Sequence, residues 1–355
     1  MKSLGNFPDA FAAEIAGQPD ALRRASAALE EQRAILDRLS EDRPEAIVFT
    51  GMGSSYDACY PAVNELAGRG RLALHLDTAE LLHFRARTLA RGSVVVIVSQ
   101  SGRSAEARRL AAELHARARP PIVVTLTNGL DNPLARGADL PLDTRAGHEE
   151  GPSTKTFAAS LVQVGTLALV LSGGSVDAAI ERTSAGSATA ADAIDAVLDR
   201  ADDLGGRLAE VIGRREVVAI LGRGPARAAA EMGALTLKEC GVMAEAFEGA
   251  AFRHGSFELA GPSLGAVVLA TEPETRELDL AMAAEAAAAG ASVAVLGPDV
   301  ERVPGTVPIL VPALDRLFAA AVSIVPIQLA AHRLARDLGR EPGVYLRASK
   351  VTTRE

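Results

Sequence analysis

The run Val94–Val98 (VVVIV) delivers the chain to Ser99-Gln100-Ser101-Gly102-Arg103-Ser104, and a helical pattern opens at Ala105. A strand ending in a hydroxyl-rich turn that starts a helix suits an anion. The helix terminus offers unpaired N–H groups and partial positive charge, and the serines and Gln100 add donors. A phosphate monoester fits without any lysine. The alternative is simple N-capping by a serine, with the other hydroxyls solvated. Gly51-Met52-Gly53-Ser54-Ser55 also follows an apolar run and opens a helix, but Tyr56 stands where a dinucleotide fingerprint needs its third glycine. A tight turn explains that segment as well as a site does.

Acid–base chemistry has candidates in LTLKECGVMAEAFEGAAFRHGSFEL: Glu239, Glu245, His254 and Glu258. A carboxylate within reach of two adjacent carbons can move a proton between them. A lone histidine or a helix glutamate is more often structural or solvated. Ser153, in Glu150-Gly-Pro-Ser-Thr-Lys-Thr-Phe157, reads equally as a cap before an apolar helix.

The elements that must position these residues alternate. A helical segment from about Pro8 to Leu39 precedes a short strand at Ala46–Thr50 and a helix from Tyr56 to Ala67. A strand around Leu72–Leu76, a helix around Thr78–Phe84 and the strand Val94–Val98 follow. After the helix Ala105–Arg117 come strands at Ile122–Leu126 and Ala138–Leu142. No strand pattern appears from Ser172 to Arg215. The alternation then restarts with strands at Val217–Leu221, Ala266–Leu269, Ser292–Leu296 and Val307–Val311. The stretch before Pro262 reads as irregular, and a long helix is expected from Ala313 to Leu338. Near-continuous apolar strands between helices predict parallel sheets covered on both faces.

The halves overlay. Ile47–Gly53 (IVFTGMG) matches Val218–Gly224 (VAILGRG) 171 positions on (218 − 47), and Val123–Leu126 matches Val293–Leu296 at 170. Duplication of an α/β domain is the simplest reading. The second copy lacks the serines, and its counterpart of the anion loop, Ala270-Thr-Glu-Pro-Glu-Thr275, carries two carboxylates that would repel phosphate.

Composition sets limits. The 355 residues fit two domains, and 48% hydrophobic with 23% charged residues is ordinary for a globular protein. A net charge of −8 and a pI near 5.4 argue against a general nucleic-acid binder, without excluding a local anion pocket. Aromatics are 3% with no Trp, so base stacking is not expected. Cys59 and Cys240 suit a reducing, cytoplasmic setting and form no metal spacing. The start lacks a signal-peptide core, and Leu314–Ala331, interrupted by charges, reads as a buried helix rather than a membrane span.

Together TGMGSSYDA, VSQSGRSAE, GPSTKTF, LGRG, GALTLKECGVMAEAF, FRHGS and the tail ASKVTTRE, in this order from about residue 45 onward, resemble the sugar isomerase (SIS) domain family. The likeness is to the double-SIS isomerase half of glutamine:fructose-6-phosphate amidotransferase and its stand-alone relatives. It implies two tandem flavodoxin-like domains: a helical segment over 1–43, a first SIS domain over 44–172, a helical connector over 173–215, a second SIS domain over 216–340 and a closing tail over 341–355. It implies a sugar phosphate anchored on Gly53, Ser55, Ser99, Gln100, Ser101 and Ser104, with Ser54 and Ser153 along the sugar. Glu239 would shuttle the proton between C1 and C2, and His254 would open the ring. In the family that histidine comes from the neighbouring subunit, which implies a homodimer with composite sites, no cofactor and no metal.

The departures shape the expectation. Residue 2 is Lys rather than the glutaminase cysteine, and about 45 residues precede the first strand, so a glutaminase domain is not expected. The family's Schiff-base lysine falls at Ser349, leaving Lys350, one position later, as the third catalytic candidate. Thr236 replaces a lysine, and HGP is His254-Gly-Ser256. The expected activity is that of an amino-sugar-phosphate deaminase or isomerase. The alternatives are a fructosamine-6-phosphate-type deglycase, a glutamine-independent synthase-like aminotransferase, and a non-catalytic phosphosugar sensor. A dinucleotide oxidoreductase would rest on the GxG turns alone.

Overall fold

A computed structural model describes residues 9–89, 92–213 and 215–353. Two compact units divide the chain. One holds the first sheet and comprises residues 20–149, 155–188 and 347–355; the other holds the second sheet and comprises 1–19, 150–154 and 189–346.

The first sheet contains β1 (Ala46–Gly51), β2 (Ala73–Asp77), β3 (Ser93–Val98), β4 (Ile122–Thr127) and β5 (Leu140–Asp143), in the order β2-β1-β3-β4-β5. The second contains β6 (Val217–Gly222), β7 (Ala244–Glu248), β8 (Leu264–Leu269), β9 (Ser292–Gly297) and β10 (Val307–Leu310), in the order β10-β9-β8-β6-β7. Counted from the other edge this is the same order, and every pairing in both sheets is parallel. β1 and β6, β2 and β7, and β3 and β8 keep the 171-residue spacing found in the sequence.

β3 and β8 are buried along their whole length, because helices cover both faces. The chain leaves β1 in one direction to build β2 and in the other to build β3. The gap beyond the ends of β1 and β3 is therefore a topological switch point, where open α/β sheets collect ligands.

Most expected elements form, with shifts at their ends. The N-terminal helical segment is three helices, Ala10–Ala16, Gln18–Glu31 and Arg33–Glu41. The helix expected at Tyr56–Ala67 splits into Ser54–Asp57 and Tyr60–Gly68, and the long helix starts at Ala319, not Ala313. The stretch read as irregular contains β7. Its sequence AEAFE shows no apolar run because it is an edge strand with only Ala244 buried. Helices Val176–Leu198 and Ala201–Ile212 fill the strandless region, and the Ala319–Asp337 helix buries Pro326. No helix among the described residues is long and apolar enough to cross a membrane.

Candidate functional site

In the first-sheet unit two loops lie at the ends of the neighbouring strands β1 and β3. Gly51 closes β1 against the next helix: a Cβ there would stand 2.7 Å from Ser55 C and Tyr56 N. Gly53 then turns with φ +53° and leads into Ser54–Asp57, leaving Ser54 and Ser55 half-buried. The His75 ring stacks on Tyr56 at 3.8 Å between centroids and meets Tyr60 edge-on at 4.4 Å. His75 Nε2 is 2.9 Å from the Tyr56 carbonyl, which holds the helical turn against β2. No spacing in the sequence marks this aromatic trio.

The second loop is tightly wound. Ser99 is buried, and its Oγ lies 3.3 Å from Ser104 Oγ. The Gly102 N–H donates to the Ser99 carbonyl at 3.1 Å, and the Arg103 N–H donates to Ser101 Oγ at 3.2 Å. The Gln100 carbonyl accepts from Asn128 N at 2.9 Å. Gly102 has φ +60°, and a Cβ would fall 1.8 Å from Asn132 Oδ1, so only glycine fits. Asn132 is itself buried and fixed: Oδ1 caps the Pro133–Arg136 turn at Ala135 N, and Nδ2 donates to Gly129 O at 2.8 Å and Thr127 Oγ1 at 3.1 Å.

Ser104 occupies the N-cap position of the Ala105–His115 helix but makes no side-chain cap bond. Simple capping by this serine, the bland alternative the sequence allows, is therefore not what the structure holds. Ser99, Gln100, Ser101 and Ser104 share one loop, with Gly53, Ser54 and Ser55 at the next strand end. Hydroxyls and a helix N-terminus together are neutral groups of the kind that can hold an anion.

The tail returns to this unit. Lys350 Nζ donates to Glu149 Oε2 at 2.7 Å; their side chains are 18% and 0% exposed. Glu149 also accepts from Thr156 N at 3.1 Å and Thr156 Oγ1 at 2.5 Å. Burial alone would raise its pKa, but the Lys350 charge and these hydrogen bonds outweigh it and hold the carboxyl below its ordinary range. Two residues further on, the Thr352 carbonyl accepts from Ala105 N at 3.4 Å, at the start of the loop's helix. The sequence hides Glu149 because a glutamate in a His-Glu-Glu run reads as solvated.

The second-sheet unit carries the acid–base candidates. Glu239 ends the Arg227–Glu239 helix, and its Oε1 accepts from the Tyr345 hydroxyl at 3.2 Å. His254 follows the Gly249–Arg253 helix and is exposed. Glu245 is exposed and pairs with Lys238 at 3.1 Å, and Glu258 is exposed, as expected of solvated carboxylates. Thr236 is buried and donates to the Met232 carbonyl at 2.9 Å. Ser153 is buried; its carbonyl accepts from Gln328 Nε2 at 3.4 Å. Glu14 steadies that loop by accepting from Glu150 N at 2.5 Å and Gly151 N at 3.1 Å.

At the end of β6, the position equivalent to the first anion turn is filled from within. Arg223 donates to Asp279 at 2.7 Å and Glu248 at 3.0 Å, and its guanidinium lies against Gly249, where a Cβ would be 2.6 Å away. In the Ala270–Thr275 loop, burial pushes Glu272 up to about 7 although Arg316 opposes it. The end of β6 and this loop thus hold Glu248, Glu272 and Asp279, with Arg223 bound to two of these carboxylates. Among the described residues no His/Cys/Asp/Glu group is arranged to hold a metal.

Parallel sheets in 2-1-3-4-5 order, the first with a serine-rich loop at its switch point, define a pair of doubly wound α/β domains. Residues 42–170 match the SIS domain model, and the second sheet repeats the strand order of the first. The glutamine–fructose-6-phosphate aminotransferase of Caulobacter vibrioides is 28% identical over 347 residues; the match takes in 94% of this chain and 57% of the relative, so the chain spans little more than half of it.

Among solved structures, the C-terminal domain of the Francisella tularensis glucosamine-fructose-6-phosphate aminotransferase shares the fold at TM-score 0.85 and 23% identity, covering 97% of this chain and 99% of that one. Tagatose-6-phosphate ketose/aldose isomerase of Escherichia coli matches at 0.78 and 19%, covering 99% of both chains. Glucosamine-6-phosphate deaminase of Thermotoga maritima matches at 0.71 and 18%, covering 97% and 99%.

Proposed function

We propose that the protein is an enzyme of hexose 6-phosphates, acting on an amino-sugar phosphate as a deaminase/isomerase. The observation that carries this reading is the Ser99–Ser104 loop, with its glycine-locked turn beside Gly53, Ser54 and Ser55. Serine hydroxyls, Gln100 and a helix terminus suit a phosphate dianion as a remote anchor that orients the reacting carbons. Ser153 contributes to holding the sugar.

In this reading His254, contributed by the partner of a homodimer, opens the ring by moving a proton between O1 and O5. Glu239 takes the proton from C2 of the open-chain aldehyde, giving a C1–C2 enolamine, and returns it to C1. Water then adds to the C2 imine and ammonia leaves, so glucosamine 6-phosphate and water yield fructose 6-phosphate and ammonia. Tyr345 orients Glu239 through its hydrogen bond. Lys350, held by Glu149 as an ammonium, adds positive charge at the tail. The chemistry suits the cytoplasm.

The test is a coupled assay of purified protein with glucosamine 6-phosphate, reading ammonia and fructose 6-phosphate, alongside fructosamine 6-phosphates and plain hexose 6-phosphates. Turnover on the first, lost at least 10³-fold in Glu239→Gln with sugar-phosphate binding retained, is the expected result. Folded protein that turns over none of the panel rules the reading out, and turnover confined to fructosamine phosphates replaces it with deglycation.

A further inference from the structure

Outside the loops described above, the flank of the Ala105–His115 helix facing the Pro133–Arg136 turn is concave. The depression has a volume of about 580 Å³ and is lined by Arg108, Arg109, His115, Ala112, Pro133 and Leu134, with small residues completing it. That volume is in the range of small-molecule sites, roughly 300–1,000 Å³. Positions 105, 108, 109, 112 and 115 share one side of the helix through 3.6-residue periodicity. Alanines at 105, 111 and 112 and the glycine at 137 leave the space that larger side chains would fill.

The charges around it do not balance. His115 lies 3.3 Å from Asp139, which also accepts from Val123 N at 2.8 Å. Glu113 pairs with Arg117, and Asp131 with Arg136. Asp139, Glu113 and Asp131 thus each have a basic partner, whereas the exposed Arg108 guanidinium makes no hydrogen bond or ion pair among the described residues. Leu134 beneath it is 1% exposed and gives an apolar floor.

We propose that this depression binds a small organic anion with a flat apolar body, its charge on Arg108 and its body on Pro133, Leu134 and Ala112. Charge complementarity selects the anion, and the alanine-lined wall selects the apolar part. The site borders the anion loop without sharing its serines. Leu134 N donates to the Gly102 carbonyl at 3.2 Å, so an occupant rests on the turn that pins that loop.

The probe is 8-anilinonaphthalene-1-sulfonate, titrated by fluorescence into the folded full chain. One saturable site per chain is expected. Arg108→Glu should weaken it at least tenfold and Ala112→Phe should fill the groove and abolish it, with denaturation midpoints unchanged. Arg119→Glu, an exposed charge control, and Ser99→Ala, in the neighbouring loop, should leave it intact. Saturable binding that survives Arg108→Glu or Ala112→Phe, that disappears in Ser99→Ala, or that is absent from the folded wild type overturns the proposal.

Discussion

Replacing Lys350 by Met would strand a carboxylate. The Glu149 side chain has no exposure, and Lys350 pairs with it at 2.7 Å, with Thr156 supplying two further hydrogen bonds. Removing one partner of a buried pair costs about 3–5 kcal/mol. The Thr156 bonds remain and the lysine is partly exposed, so a loss near 3 kcal/mol at pH 8, the lower end of that range, is expected. The pH dependence carries the sharper test. In the wild type the folded carboxyl sits below its ordinary value of 4.5, despite burial. Its contribution is therefore complete above that value and is lost as pH falls through the lower folded pKa. In Lys350→Met burial wins and the folded pKa moves above 4.5. Folding then favours the protonated acid, and that preference is lost as pH rises. The deficit relative to wild type should be largest at pH 8 and shrink towards pH 4.5. Glu149→Gln added to Lys350→Met should recover most of it at pH 8. Urea denaturation at pH 8, 6 and 4.5 measures all three proteins. A deficit that is constant across this range, or below about 0.5 kcal/mol at pH 8, refutes a buried pair as the anchor of the tail.

Gly102→Ala should cost about 2–4 kcal/mol, from a left-handed backbone and a displaced Asn132 cap, and should abolish the thermal shift produced by sugar phosphates. Glu272, at about 7 in the folded state, stabilises fully below 4.5 and loses that contribution as pH rises through 7. Glu272→Gln should therefore remove a decline of up to about 3 kcal/mol between pH 5 and 8 in denaturation midpoints, and a decline matching wild type counts against burial as its cause. Arg223→Met leaves Asp279, 4% exposed, without its guanidinium and should destabilise by about 3–5 kcal/mol, read by urea denaturation at pH 7.5; Asp279→Asn in the same chain should return part of it.

The sheets were legible because β3, β4, β8 and β9 announce themselves as runs of valine, leucine and isoleucine, and because GxG turns mark the ends of β1 and β6. β7 was hidden: an edge strand needs no apolar run, and AEAFE shows none. The anion loop could be read from its serines alone, but not why it holds its shape, since Asn132 lies 30 residues beyond Gly102 and only folding sets its amide against the turn. Glu149 and Lys350 are 201 positions apart, and neither type announces a buried pair. The missing serines of the second copy were legible in Gly222-Arg-Gly-Pro225; the structure adds that the Arg223 guanidinium there has taken two carboxylates as its own ligands.

That separation of Glu149 from Lys350 has a consequence for biosynthesis. The ammonium is made 201 residues after the carboxylate it neutralises. At about 5–20 residues per second, the first sheet waits some 10–40 s on the ribosome for this ion pair. During that interval the strands can pair and the anion loop can wind, but the Glu149 pocket must stay wet or take up a proton. Nascent chains are thus committed in topology well before they are finished in charge, and truncated chains that end short of Lys350 carry a molecular mark of incompleteness, a buried carboxylate without its ammonium.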